Sequence, residues 1–258
     1  MNTKKMISGW SFVVFFTIAL LAAASSLRAE EVQINIDRVM APSHGYDDND
    51  DVRVVLSGVL DSPCLNLART QIKRNPSAHT ISIIQYAWAR HDGACKSGDW
   101  IDAPAPYEIE VSLGRMSRGD YVIQGLSQNE PVSSRSIHIA PASATTQDSL
   151  NYPIVDGMWV DDNGVLLEGE DIKVTFFGKL TTECASIVAP IQVLIENDVM
   201  VILATQKMSN TKCAPSLRPF KTEINLGKLR AGHYLIHIRS RHGQVVQQVI
   251  TVQTPPLS

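Results

Sequence analysis

The sequence has 258 residues, 44% of them hydrophobic and 19% charged, with a formal net charge of -3 at pH 7. A chain of this length holds two domains of ordinary size. Its mildly acidic balance excludes binding to nucleic acid or anionic lipid through bulk electrostatics.

Lys4 and Lys5 give a positive start, and Trp10 to Ala24 is a mostly apolar run of 15 residues. Small residues and a Leu27-Arg28-Ala29 site then precede Glu30. This resembles a secretory signal peptide over 1–29, since the run is short for a spanning helix, with an uncleaved N-terminal anchor as the alternative. Cleavage after Ala29 removes Lys4, Lys5 and Arg28 and no acid, which moves the formal charge from -3 to -6. No second apolar run approaches spanning length, so no membrane insertion of the mature chain is expected.

In chain order, alternation predicts a half-buried strand at Val32–Ile36 and a second at Val52–Leu60. Leu65–Lys73 and Thr80–Ala89 read as the next two strands, joined by the turn chemistry of Asn75-Pro76-Ser77. Tyr107–Leu113, Tyr121–Gln124 and Ser134–Ile139 follow. Pro141 to Leu150 is rich in Ser, Thr, Ala and Gln and reads as a linker. Beyond it come Ile187–Ile195 and Val199–Thr205 around Asn197-Asp198, then Phe220–Leu226, Tyr234–Arg239 and Gln244–Val252. Helical periodicity is absent from the part of the chain after residue 29.

Two stretches recur. Leu113-Gly-Arg-Met-Ser-Arg-Gly119-Asp-Tyr121-Val-Ile123 returns as Leu226-Gly-Lys-Leu-Arg-Ala-Gly232-His-Tyr234-Leu-Ile236, an offset of 113. Asp51-Val-Arg-Val-Val-Leu-Ser-Gly58 with Cys64 returns as Asp171-Ile-Lys-Val-Thr-Phe-Phe-Gly178 with Cys184, an offset of 120. The first unit therefore carries seven extra residues between its first cysteine and the later motif. In each Leu-Gly-x-x-x-x-Gly-x-Tyr motif, Gly119 or Gly232 allows a positive φ. Tyr121 or Tyr234 then buries its ring while its hydroxyl reaches upstream backbone. The motif resembles the tyrosine corner of immunoglobulin-like and fibronectin-III-like sandwiches. The pattern of both units is similar to bacterial secreted tandem immunoglobulin-like β-sandwich domains, a likeness that carries no functional motif. The expected organisation is all-β: a signal peptide (1–29), a first immunoglobulin-like β-sandwich (30–140), a linker (141–150) and a second sandwich (151–254).

Cys64, Cys95, Cys184 and Cys213 fall two to each unit, without the close C-x-x-C pairs of a four-cysteine metal site. In an exported chain an even count at repeated spacing reads as disulfides. The duplication selects Cys64–Cys95 and Cys184–Cys213 from the three possible connectivities. Each bond closes a loop of about 30 residues, worth roughly 3–4 kcal/mol on the chain-entropy account. Each also staples the open end of a hairpin, unlike the inter-sheet bond of antibody domains.

Chemistry-bearing patterns are few. The acidic loop from His44 to Asp51 and the segment Asp161-Asp162-Asn163-Gly164 offer oxygen ligands, but their spacing fits no EF-hand and Asp-Asp-Asn-Gly is a common hairpin turn. No metal and no cofactor are assigned. His233 and His237 lie about 13 Å apart along one strand face, too far to share a metal. His91, Asp92, Asp99 and Asp102 share the long loop around Cys95. No G-x-S-x-G, H-E-x-x-H or phosphate-cradling loop occurs, so no catalytic residue is assigned and no enzyme is expected. Trp88, in an alternating strand, is expected in the core. Trp100 sits between Gly98, Asp99 and Asp102 and is expected to be exposed.

These features lead to an exported, non-enzymatic binding module, periplasmic or secreted, that contacts a protein or cell-surface partner through loops of two stapled sandwiches. Trp100, Asp99 and Asp102, in the loop Arg90–Pro106, are the candidate contact residues. The alternative is a periplasmic structural or assembly factor of chaperone type.

Overall fold

The computed structural model describes residues 30–90, 95, 103–142, 151–161, 165–209 and 213–256. Their regular structure is almost entirely strand, with a short 3-10 turn at Arg241–Gly243. The first half contains β1 (Glu30–Ile34), β2 (Arg38–Met40), β3 (Tyr46–Asp47), β4 (Val52–Leu60), β5 (Leu65–Asn75), β6 (Thr80–Ala89), β7 (Ala105–Gly114), β8 (Gly119–Ser127) and β9 (Glu130–Ala140). The second half contains β10 (Ile154–Asp161), β11 (Leu166–Leu167), β12 (Asp171–Thr182), β13 (Ala185–Ile187), β14 (Gln192–Glu196), β15 (Val199–Leu203), β16 (Gln206–Met208), β17 (Pro215–Lys228), β18 (Gly232–Arg239) and β19 (Val245–Gln253).

In the first half, β2-β4-β7 form one sheet and β3-β9-β8-β6-β5 lie in the other. β5 covers one edge of β6, while β8 and β1 divide its other edge between Thr80–Ile84 and Gln85–Ala89. The order recurs in the second half as β10-β12-β17 and β11-β19-β18-β15-β14. The period-2 pattern explains the layers: Val52, Val54, Leu56, Val111 and Leu113 of one sheet meet Ile81, Ile83, Ile123, Ile137 and Ile139 of the other in a closed apolar core. Phe176, Ile172 and Val174 meet Met200, Ile202, Ile236 and Ile238 in a second.

Three features differ from the expected strands. β6–β8 and β15–β18 pair in parallel, whereas an immunoglobulin sandwich consists of antiparallel sheets. The hairpin of each half is turned so that its second arm, rather than its first, lies beside the strand after the corner. The expected first strand, Val32–Ile36, is split: β1 pairs with β6 and β2 with β4, so the chain changes sheet between Ile34 and Arg38. The expected Ile187–Ile195 arm is interrupted at Pro190, which follows a cis peptide bond and can donate no ladder hydrogen bond. β13 and β14 are the two pieces, and β13 pairs with β16 rather than with β15.

The halves meet across a buried seam. Met40 and Val55 of the first pack on Val199, Val201 and Leu235 of the second. Arg239 Nη2 donates to Asp50 Oδ2 at 2.9 Å, with side chains 9% and 2% exposed. Asp50 Oδ2 also accepts the Asp47 amide. At the tip of the β14–β15 hairpin, Asp198 and Glu196 engage Arg135, whose Nε donates to Ala41 O, and Glu196 accepts the Ser43 amide. Gly243, at φ +67, approaches so closely that a Cβ there would lie 2.1 Å from Asp50 Oδ1. These contacts tie the two halves together.

Candidate functional site

Cys64 bonds Cys95 and Cys184 bonds Cys213. Cys64 immediately precedes β5, its carbonyl accepts the Arg90 amide just after β6, and Leu65 faces Ala89. The first bond thus closes the open end of a hairpin. The cysteines are 31 residues apart in the first half and 29 in the second, so two of the seven extra residues lie inside the stapled loop and five after it. Two structural disulfides fit an oxidising environment.

Asp99, Trp100 and Asp102 lie outside the described residues, as do His91, Asp92 and Asp162-Asn163-Gly164. Trp88, two residues before Arg90, is described and corrects the core expectation: it is 43% exposed. Ile81, Ile83, Ala87 and Ala89 take the inward positions of β6, so the even position of Trp88 points out of the sheet. It faces Asn66 on one side and Glu31 on the other. Tyr107 is buried instead, and its hydroxyl donates to Asn35 O.

At the corners, the Tyr234 hydroxyl donates to Arg230 O, four residues upstream, at 3.1 Å. Tyr121 differs: its ring stacks on His79, centroids 5.1 Å apart at 17°. Among the described residues its hydroxyl has no hydrogen-bond partner. The sharpest left-handed positions are the first glycines of the motifs, Gly114 (φ +66) and Gly227 (φ +78), not Gly119 (φ +139) or Gly232 (φ +159).

The acidic loop is absorbed by the seam. Asp47 and Asp50 are buried; Asp47 Oδ1 caps the Asn49 amide, and Asp48 accepts the Ala142 amide. Asp51 takes hydrogen bonds from Arg53 and Ser112. Burial raises the Asp50 carboxyl above the usual range against the pull of Arg239. His237 is buried beside Tyr46, accepts from Gln247 at Nδ1, and is pushed down to about 3 by burial and then by the Arg239 charge. Its ring is neutral and serves packing. His233 points elsewhere, to Thr251. Among the described residues no group of three or more His, Cys, Asp or Glu side chains could hold a metal ion, and no helix is long and apolar enough to cross a membrane.

At the opposite end of the first hairpin from the disulfide lies a cavity of about 330 Å³ between the β5–β6 and β7–β8 turns. Arg74, His79, Arg115, Arg118 and Tyr121 line it, with Ile81 and Met116 behind. The charged side chains are exposed, and among the described residues none of the three arginines is ion-paired. Sequence reading missed this set because Arg74 lies some forty residues from Arg115; the signal available was the Arg115-x-x-Arg118 spacing in the first corner.

Residues 173–252 match the family model of the ORF11 beta-sandwich domain. The ORF11-like segment runs from β12 to β19 and so takes in the second disulfide and the second corner. It agrees with the layered all-β architecture and does not reach the cavity or Trp88. No curated protein and no solved structure matches the chain.

Proposed function

We propose that this chain is an exported, non-enzymatic binding module, built of two tandem immunoglobulin-like β-sandwich domains behind a signal peptide over 1–29. It works in the periplasm or outside the cell and contacts a protein or cell-surface partner through loops at the stapled end of the first sandwich. The supporting observation is the 43% exposure of Trp88 beside the Cys64–Cys95 bond, on a sheet whose other face is packed. Large exposed aromatics on a rigid frame are the anchors that carry interface energy. The bond fixes Cys95 beside Cys64, and a loop anchored at one end loses less entropy on binding than a free one; Asp99, Trp100 and Asp102 follow Cys95 in the chain and are part of the proposed contact. The seam adds to this reading: with the halves locked, loop positions are set by the scaffold.

The test is partner capture from the exported fraction by the immobilised chain, followed by affinity measurement. Trp100→Ala and Trp88→Ala should each weaken binding by about 1–3 kcal/mol and leave the melting temperature nearly unchanged. Unchanged affinity in both variants, or a clear stability loss in place of an affinity loss, removes the proposal.

A further inference from the structure

We propose that the arginine-lined cavity at the first corner binds the acidic group of a saccharide, as a ligand site separate from the partner-contacting end. Three observations converge on it. The first is charge. Arg74 is held in place by donating Nη2 to Leu113 O, which leaves its remaining N–H groups for a ligand. Arg115 and Arg118 add two more guanidinium groups, and such forks match a carboxylate or sulfate in two-point fashion. Asp120, beside Tyr121, has its carboxylate engaged by His138 at 2.6 Å, and Asp48 lines an adjoining hollow of about 470 Å³ that shares the Arg115–Arg118 turn. Asp48 is engaged by the Ala142 amide, and two acids already taken up by other donors do not cancel three arginines.

The second is preorganisation. Asn75 Oδ1 takes hydrogen bonds from Ser77 Oγ and the Ala78 amide, which locks the β5–β6 turn. His79 stands at φ 49, the left-handed region that non-glycine residues rarely take. Its ring is oriented by Tyr121 on one face and by Asp120 O at Nδ1. The His79 ring is exposed and lines the cavity, a flat surface of the kind that suits a sugar ring. Local strain held by a surrounding network is a feature of binding sites.

The third is a contrast between the halves. The hairpin tip of the second half is spent on the seam, where Asp198 and Glu196 meet Arg135. The tip of the first half instead lines the cavity with Arg74 and His79, and the adjacent β7–β8 turn brings Arg115 and Arg118 to it. A concave site of about 330 Å³ suits a ligand of small-molecule size, whereas a protein partner would need a broader surface. Membranes and nucleic acid are disfavoured by the net negative chain.

The test is calorimetric titration of the exported chain with digalacturonate, digalactose, sodium sulfate and phosphatidylglycerol vesicles. Digalacturonate should bind, with digalactose about ten-fold weaker or worse, and sulfate should compete only weakly. Arg115→Ala/Arg118→Ala should weaken digalacturonate about ten-fold or more with an unchanged melting temperature, because both side chains are exposed. The lysine pair, Arg115→Lys/Arg118→Lys, should fall between. The assignment is overturned if digalactose binds equally, if sulfate binds as tightly as the sugar acid, if vesicles alone bind, or if the alanine pair changes nothing. Partner binding left unchanged by Trp88→Ala and Trp100→Ala, with digalacturonate binding intact, would instead refute the partner-contact reading and leave this one standing.

Discussion

Replacing Arg239 with methionine should unlock the seam between the two halves. Asp50 is 2% exposed and Arg239 9%, and their 2.9 Å contact is the buried pair across the seam. Without the guanidinium, the Asp50 carboxylate keeps the Asp47 amide as a donor but stays buried without a counter-charge. Breaking a buried pair from one side costs about 3–5 kcal/mol, a large fraction of a typical total stability of roughly 5–15 kcal/mol. Asp50→Asn in the Arg239→Met background removes the stranded charge and should recover about 2 kcal/mol or more of that loss. Urea denaturation is the assay, with tryptophan fluorescence following Trp88 in the first half and Trp159 in the second. The parent should unfold in one transition and Arg239→Met in two, because each half retains its own core. A cost below about 1 kcal/mol, or a double variant no better than Arg239→Met alone, would refute the reasoning.

Other outcomes follow from the same coordinates. His237 titrates near 3 when folded against about 6.5 unfolded, so its neutral form stabilises fully above pH 6.5 and that support is lost as pH falls. The loss should be about 1.4 kcal/mol per pH unit between pH 6.5 and 5, and His237→Gln should flatten the slope in urea titrations. Asp50, raised by burial, acts in the opposite sense at lower pH. Gly243→Ala should cost at least about 1–2 kcal/mol from its left-handed backbone, plus displacement of Asp50, read as a lowered denaturation midpoint. Cys184→Ala/Cys213→Ala should cost about 3 kcal/mol by the same measure.

Much of the frame was legible. Alternation placed Val52–Leu60 and Thr80–Ala89 at the bounds of β4 and β6, and repeated spacing paired the cysteines as the bonds run. Periodicity alone does not say which face of a strand is inward, and a one-residue difference reverses every side chain; Trp88 was misplaced for that reason. The parallel pairings depend on which hairpin arm lies innermost, a non-local choice with no local sequence mark. One trace of the seam was present. Val199-Met-Val-Ile-Leu203 is a continuous apolar run rather than an alternating one, as befits a strand covered on both faces: Met200 and Ile202 meet the core, Val199 and Val201 the first half. The acids of the 44–51 loop looked like cation ligands because partners such as Arg239 for Asp50, Ala142 for Asp48 and Ser112 for Asp51 lie far along the chain.

The most direct test of the binding-module account is photocrosslinking on the chain with a benzoylphenylalanine placed at Trp88 or, as a control, at Trp159. Trp159 is similarly exposed but sits on the second half under Lys221. The account expects one discrete partner adduct from position 88 and none from position 159. No adduct at 88, or the same adduct from both positions, would contradict it.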